Sequence, residues 1–383
     1  MKIRSRTTML FVCAFAVLMM PVQLSAQDHY GFPSPTLTEF DATGAGTASG
    51  LGTQAFSNND EGAIVGTYTD VNMVYHGFLR TPDGKFIALD APGAGSASGS
   101  NTGTTAYSIN DLGVITGAVD DSDNTNHGFV RYPDGHYCTF DAPGAGVGSD
   151  DGTIPIGINL LGTVAGEYFD TAGTSHGFVR WIDGHIATFD APDAAPGPAG
   201  LGTFVSAEAS INLEGAVTGY YYDASNSVHG FVRYPDGHIK EFDAPGASPA
   251  PLNGGTLGYS INQEGTIAGF SVDANGVGHG FLRTREGEFT TIDEPDASTA
   301  AGEGTGVFSI NFFGAVAGSY FDVNSAEHGF SRSAHGNYVT IDAPDAGTGA
   351  GQGTQPSTNN AEGAIAGWYI DGNNVYHGFV WTP

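Results

Sequence analysis

The sequence predicts an all-β fold, a closed seven-bladed β-propeller of four-stranded antiparallel blades. Three observations lead there. His-Gly-Phe recurs seven times, at His76, His127, His176, His229, His279, His328 and His377, at intervals of 51, 49, 53, 50, 49 and 49 residues. A unit of this length, made of short β-type runs and Gly/Pro/Asp turns, is the signature of a propeller blade. The chain is also cut out of phase with its units: it opens on a lone strand, Thr36 to Asp41, and its last unit lacks its fourth strand. If the opening strand completes the last sheet, no edge is left unpaired.

The first 26 residues read as a secretory signal. Lys2, Arg4 and Arg6 precede an apolar run, Met9 to Met20, that is too short to span a membrane. Leu24-Ser25-Ala26 suits cleavage after Ala26, which implies a secreted or periplasmic protein. A linker over residues 27–36 then leads into a propeller over 37–383. His29 to Phe32 is an imperfect copy of the His-Gly-Phe strand, interrupted by Pro33 and Pro35. Cys13 lies in the signal, so only Cys138 remains and no intramolecular disulfide forms.

The full chain carries a net charge of −29, and removal of the signal leaves 9 basic against 41 acidic side chains, a net of −32. Such a surface repels phosphate-rich partners, which excludes nucleic acid and disfavours anionic membranes. No membrane span is expected in the mature chain, which is expected to be a monomer.

The second unit shows the grammar. Ala106 to Asn110 is strand a and Asp111-Leu112-Gly113 a tight turn. Val114 to Val119 is strand b, and Asp121 to Asn126 a polar turn. His127 to Tyr132 is strand c, and Pro133-Asp134-Gly135 a hairpin turn in which Pro presets φ and Gly accepts a positive φ. His136 to Asp141 is strand d. Spacings within units are invariant. Asn110 precedes Gly117 by 7 residues, Gly117 precedes Asp121 by 4, Asp121 precedes His127 by 6 and His127 precedes Asp141 by 14. Strand register explains this, because one inserted residue flips every later side chain to the other face. Length varies only in the link from strand d to the next strand a, where Asp-to-Asn spacings are 18, 20, 18, 22, 19, 18 and 18. Each link carries a Gly-Thr pair, and the stretch Phe204 to Ser210 holds a three-residue insertion.

The string Ser108-Ile109-Asn110-Asp111-Leu112-Gly113-Val114-Ile115-Thr116-Gly117, followed by His127-Gly128-Phe129-Val130, resembles the HAF repeat of bacterial secreted proteins. The resemblance covers nearly the whole mature chain. It departs from the family in having Gly where the name motif has Ala, and Asp-Ala-Pro where Asp-Leu-Gly is common. It implies an extracellular repeat protein and brings no catalytic residues.

Residues repeated seven times are expected to be joints, since an active site needs one asymmetric constellation. The histidines are expected to bond the aspartate of the b–c turn or a loop carbonyl. Gly77 is expected to make room for an aromatic ring such as Tyr68 from the neighbouring sheet. The arginines four residues after each histidine (Arg80, Arg131, Arg180, Arg233, Arg283, Arg332) are expected to bond carboxylates or carbonyls of an adjacent strand. Asp-x-Asn and Asp-x-Asp turns begin like calcium loops, with Asp121 and Asp123 the best pair, but they lack the glutamate at loop position 12. No cofactor is predicted, and calcium stays open as an alternative. Function is expected on the face carrying the b–c turns and d–a links, at residues that break the pattern: Asp150, Asp151, Glu208, Glu294 and Glu303. Glu167, in strand b, is able to face either way. The expected role is a binding or interaction scaffold for a protein, cell-envelope or glycan ligand. The alternative is a carbohydrate-active enzyme, a polysaccharide lyase or glycoside hydrolase, with an acidic site at the channel mouth. No Ser/His/Asp triad spacing, nucleotide loop, CxxC or HExxH occurs.

Overall fold

The computed structural model describes residues 34–99, 102–197, 201–205, 207–249 and 254–383. The signal sequence, cleavage site, most of the linker and the His29 to Phe32 copy lie outside the described residues. Every regular element among those described is a β-strand. In the first unit strands a, b, c and d are Gly52–Asn58, Ile64–Thr69, Tyr75–Arg80 and Phe86–Leu89, each antiparallel to the next. The same four-stranded sheet recurs along the chain. In the last unit Gly353–Asn359, Ile365–Ile370 and Tyr376–Thr382 pair in order, and Thr36–Phe40 pairs antiparallel with Tyr376–Thr382, Phe40 opposite Gly378.

Strand a is longer than the sequence reading. In the second unit it begins at Gly103, so the Gly-Thr pair belongs to the strand and not to the link. The reason lies in the joint between units. Gly103 forms a parallel bridge with Tyr75 of the preceding strand c at φ +144°, and a Cβ there would lie 2.0 Å from the Tyr75 carbonyl oxygen. Only glycine permits that approach. The neighbouring Thr104, fully buried, accepts the backbone N–H of Ala91 through Oγ1 at 3.0 Å. Thr53, Thr153, Thr203, Thr256, Thr305 and Thr354 receive the corresponding bond from the exit of the sheet before them.

The fourth unit departs from this pattern. Its strand a is only Thr203–Phe204, and the chain rejoins the sheet at an isolated bridge from Ile211 to Val217.

The core lies between sheets. The phenylalanine of each His-Gly-Phe is buried, from Phe78 to Phe379. Its ring covers the strand-b glycine: a Cβ on Gly117 would lie 2.8 Å from the Phe129 ring. The invariant Gly-to-Phe spacing is therefore a steric requirement, and each buried ring contributes about 1.5–3 kcal/mol.

A second set of joints runs along the far ends of strands a. Asn59 Nδ2 donates to the Asn110 carbonyl at 3.1 Å, Asn110 to Asn159 at 2.9 Å and Asn159 to Asn212 at 2.9 Å. Asn212 donates to Asn262 at 3.1 Å, Asn311 to Asn360 at 2.9 Å, and Asn360 back to Asn59 at 3.0 Å. Each Oδ1 accepts from its own a–b turn, as Asn110 does from Val114 N at 3.0 Å. One side chain thus closes a turn and grips the next sheet.

Candidate functional site

The repeated polar residues are occupied with one another. His127 Nδ1 bonds Asp141 Oδ1 at 2.8 Å, while Nε2 lies 3.5 Å from Asp121 Oδ2. The short partner is thus the aspartate at the end of strand d, which corrects the expected pairing with the b–c turn aspartate. The other six histidines repeat this arrangement at 2.7–2.9 Å. The turn aspartate instead closes its own loop: Asp121 Oδ1 accepts Asp123 N at 2.8 Å and Thr125 N at 3.0 Å. Those bonds outweigh burial and hold the Asp121 carboxyl below its ordinary pKa. No group of three or more His, Cys, Asp or Glu side chains among the described residues is arranged to hold a metal ion.

The ring expected over Gly77 is also placed differently. A Cβ on Gly77 would meet Leu89 of strand d and Thr104 of the next sheet, and one on Gly177 would meet the Phe189 ring. Tyr68 lies against His76, ring centroids 4.9 Å apart. Among the described residues these six arginines form no ion pair with a carboxylate; Arg131, Arg180, Arg233 and Arg283 donate through Nη1 to the carbonyl of the next residue at 3.2–3.4 Å. Arg80, Arg180, Arg233 and Arg283 lie over Phe40, Phe140, Phe189 and Phe242, at 4.7–5.1 Å, on strand d of the preceding sheet. Arg131 and Arg332 lie over Tyr137 and Tyr338 of their own sheets. The aromatic faces and apolar stems make these cation–π joints.

The pattern-breaking acids do not gather in one place. Asp150 sits in its link at φ +66° and accepts Asn124 Nδ2 at 2.6 Å. Asp151 accepts Gly148 N at 3.1 Å and so shapes the same loop. Glu294 is buried, its Oε2 accepting Asp296 N at 2.7 Å. Burial raises its pKa and that bond partly opposes the rise. Glu208 projects inward from the irregular stretch of the fourth unit, and burial raises its carboxyl to about 7. Glu167 also faces inward. It is buried, its Oε2 accepts Val205 N at 3.0 Å, and burial raises it to about 8 despite that bond. Burial raises Tyr107 as well, and the charges of Asp120, Glu208 and Glu167 add to the rise. Asp120, pushed to about 6 by burial and then by the charge of Asp150, was not singled out in the sequence.

Two cavities mark the ends of the space lined by strands a. The larger, about 1070 Å³, opens among the b–c turns and d–a links of the fourth to sixth units. Its walls are Tyr222, Tyr259, Phe270, Phe308 and Phe321, with Glu303 and Glu327 among its polar groups. Glu303 accepts hydrogen bonds from Ser298 and Ser325, which hold its pKa down. Glu327 accepts Ser319 Oγ at 2.6 Å, and burial raises it. The cavity exists because small residues fill three positions: Gly278 before the histidine, Gly306 in strand a and Ser319 in strand b. The seventh unit has Tyr376, Gln355 and Trp368 there, and the Trp368 and Tyr376 rings fill the space 5.3 Å apart. Of the acids picked from sequence, only Glu303 lines this cavity. The aromatic walls were missed, although reading each strand position down the seven units displays them.

The smaller cavity, about 380 Å³, lies at the opposite end, where the asparagines bond, and residues from each of the seven repeats line it.

No family model and no curated protein matches the chain. Solved structures do. A lectin from Burkholderia pseudomallei superposes with a TM-score of 0.50 at 9% identity, over 88% of this chain and 96% of that one. A prolyl endopeptidase superposes with a TM-score of 0.53 at 12% identity, over 87% of this chain and 46% of that one. A puromycin hydrolase gives 0.50 at 13% identity, over 85% and 51%. The chain therefore spans about half the length of those two enzymes. What is shared at these identities is the fold. The chain is built of β-propeller blades. No helix among the described residues is long and apolar enough to cross a membrane.

Proposed function

We propose that this chain is a closed seven-bladed propeller of the HAF-repeat kind, exported to the periplasm or the cell exterior, that binds a glycan without cleaving it. Closure is supported by the pairing of Thr36–Phe40 with Tyr376–Thr382 and by the Asn360-to-Asn59 hydrogen bond. The single observation that carries the functional reading is the 1070 Å³ cavity, with aromatic rings on its walls and the carboxylates of Glu303 and Glu327 among them. Sugars present apolar C–H faces that pack on aromatic rings, and hydroxyls that donate to carboxylates. The lectin likeness is compatible with this use of the fold. With 9 basic against 41 acidic side chains once the signal is removed, a net of −32, the surface favours neutral or amino sugars over uronic or sulfated ones.

The test is a glycan array of neutral, amino and acidic glycans probed with residues 27–383, with and without calcium. Calorimetry and product analysis then follow on any hit. A neutral or amino glycan bound intact is expected, and Tyr259→Ala and Glu327→Gln each weaken it at least tenfold. An array with no hit overturns the reading, and cleaved products replace it with the carbohydrate-active enzyme.

A further inference from the structure

The end of the molecule opposite the large cavity has its own asymmetry. Around the 380 Å³ mouth stand the tips of the a–b turns, whose first residues line it. Asp60 and Asp111 are adjacent on one side, linked through the Asp60 N–H to Asp111 Oδ1 at 3.0 Å. Leu160, Leu213 and Phe312 line the rest together with uncharged tips. The apolar character continues outward: Leu112, Leu161, Phe312 and Phe313 are 64%, 60%, 55% and 67% exposed. Phe312 and Phe313 stand edge to face, 5.1 Å apart, with no sheet covering them. Within the mouth, Glu208 supplies a third carboxylate, and no basic side chain among the described residues lines it. The asparagine amides are already spent on one another, so the floor offers little to an anion.

We propose that this mouth is a docking site for a basic, amphipathic segment of a partner protein, which places a Lys or Arg against Asp60, Asp111 and Glu208 and lays its apolar face on Leu160, Leu213 and Phe312. Charge complementarity selects this occupant. A second copy of the chain brings another acidic surface, and an anionic membrane is repelled. The apolar residues supply the contact area and the carboxylates the choice of partner. This mouth and the glycan cavity share no lining residue.

The probe is a synthetic amphipathic Lys/Leu helical peptide, with a Glu/Leu peptide of equal length as control, measured by calorimetry on residues 27–383. The Lys/Leu peptide is expected to bind and the control not to bind. Asp60→Asn with Asp111→Asn keeps the acceptor oxygens that link each turn to the neighbouring one, and is expected to weaken binding at least tenfold and flatten its salt dependence. Phe312→Asp weakens it similarly, whereas Tyr259→Ala, in the other cavity, leaves it unchanged. Unaltered affinity in the Asp60/Asp111 variant, or no binding of the wild-type chain at millimolar peptide, overturns the proposal. Sedimentation showing a dimer that Phe312→Asp dissolves overturns it in favour of self-association.

Discussion

The wall between the fifth and sixth units and the wall of the seventh unit are written in the same repeat, yet one is hollow and the other filled. Both keep the buried phenylalanine, the His–Asp pair and the Thr joint: Phe330 and Phe379, His328 with Asp342 and His377 with Asp41, Thr305 and Thr354. They differ in inward-facing side chains that take no part in the joints, where Gly278, Gly306 and Ser319 stand against Tyr376, Gln355 and Trp368. The lesson is a division of labour within each strand. Alternate side chains either lock sheet to sheet or face the axial space, and only the second set is free to vary.

Substitutions in the two sets break or sharpen that division. The largest effect belongs to a joint. Phe330→Ala empties a fully buried site between sheets and is expected to cost about 3–5 kcal/mol in a denaturant titration. A loss under about 1 kcal/mol would show that the joint does not hold the sheets.

Glu167 comes next, because it is a titratable group on the inward set. Burial raises its folded pKa to about 8 from 4.5. The unfolded chain therefore releases this proton first, and stability falls as pH rises between those values. Glu167→Gln keeps an acceptor for Val205 N. It is expected to gain on the order of a few kcal/mol above pH 8 and little below pH 4.5. Equal effects at pH 4 and pH 9 would place Glu167 in contact with water.

Filling the hollow tests the inward set directly. Ser319→Phe copies the residue of the fifth unit, Phe270, into the cavity. Glycan affinity is expected to drop at least tenfold, about 1.4 kcal/mol, with the melting temperature nearly unchanged. A melt lowered by many degrees would mean that the cavity wall is itself a joint.

The smallest effect is at His127. Burial pulls its pKa down, but the bonds and charges of Asp141 and Asp121 outweigh that and leave it raised above 6.5. Its contribution is full below pH 6.5 and is lost as pH rises through the raised folded value. The ring is partly open to water, so His127→Gln is expected to cost under about 1 kcal/mol at pH 5.5 and less at pH 9. A larger loss at pH 9 than at pH 5.5 would contradict a charged His–Asp joint.

Much of the fold is legible in the sequence because its joints are periodic. The Gly117-to-Phe129 spacing is a ring lying on a backbone, and the lone Thr36 strand is the one the last unit lacks. The partners of the joints are less legible. Asp121 and Asp141 both keep fixed distances from His127, and counting residues cannot tell which lies across the sheet. The rings beneath Arg80 and Arg180 come from preceding sheets, 40 residues away in each case. The candidate site was hardest to read because it is made by absence. Charged residues such as Asp150 and Glu294 drew attention, whereas Gly278, Gly306 and Ser319 open the space. Glu294 breaks the Asp-Ala-Pro pattern, yet its backbone N–H still serves the Thr305 joint.

The pairing of Thr36–Phe40 with Tyr376–Thr382 has a consequence for biogenesis. Thr36–Phe40 has no mate until Tyr376–Thr382 has been made. Phe40 and its neighbours must wait, solvated and unpaired, while six units assemble behind them. A product halted before Tyr376 would display two raw sheet borders at once, the kind of surface that recruits proteases or other nascent chains. Quality control is thereby written into the join: only a polypeptide that carries both strands hides both borders.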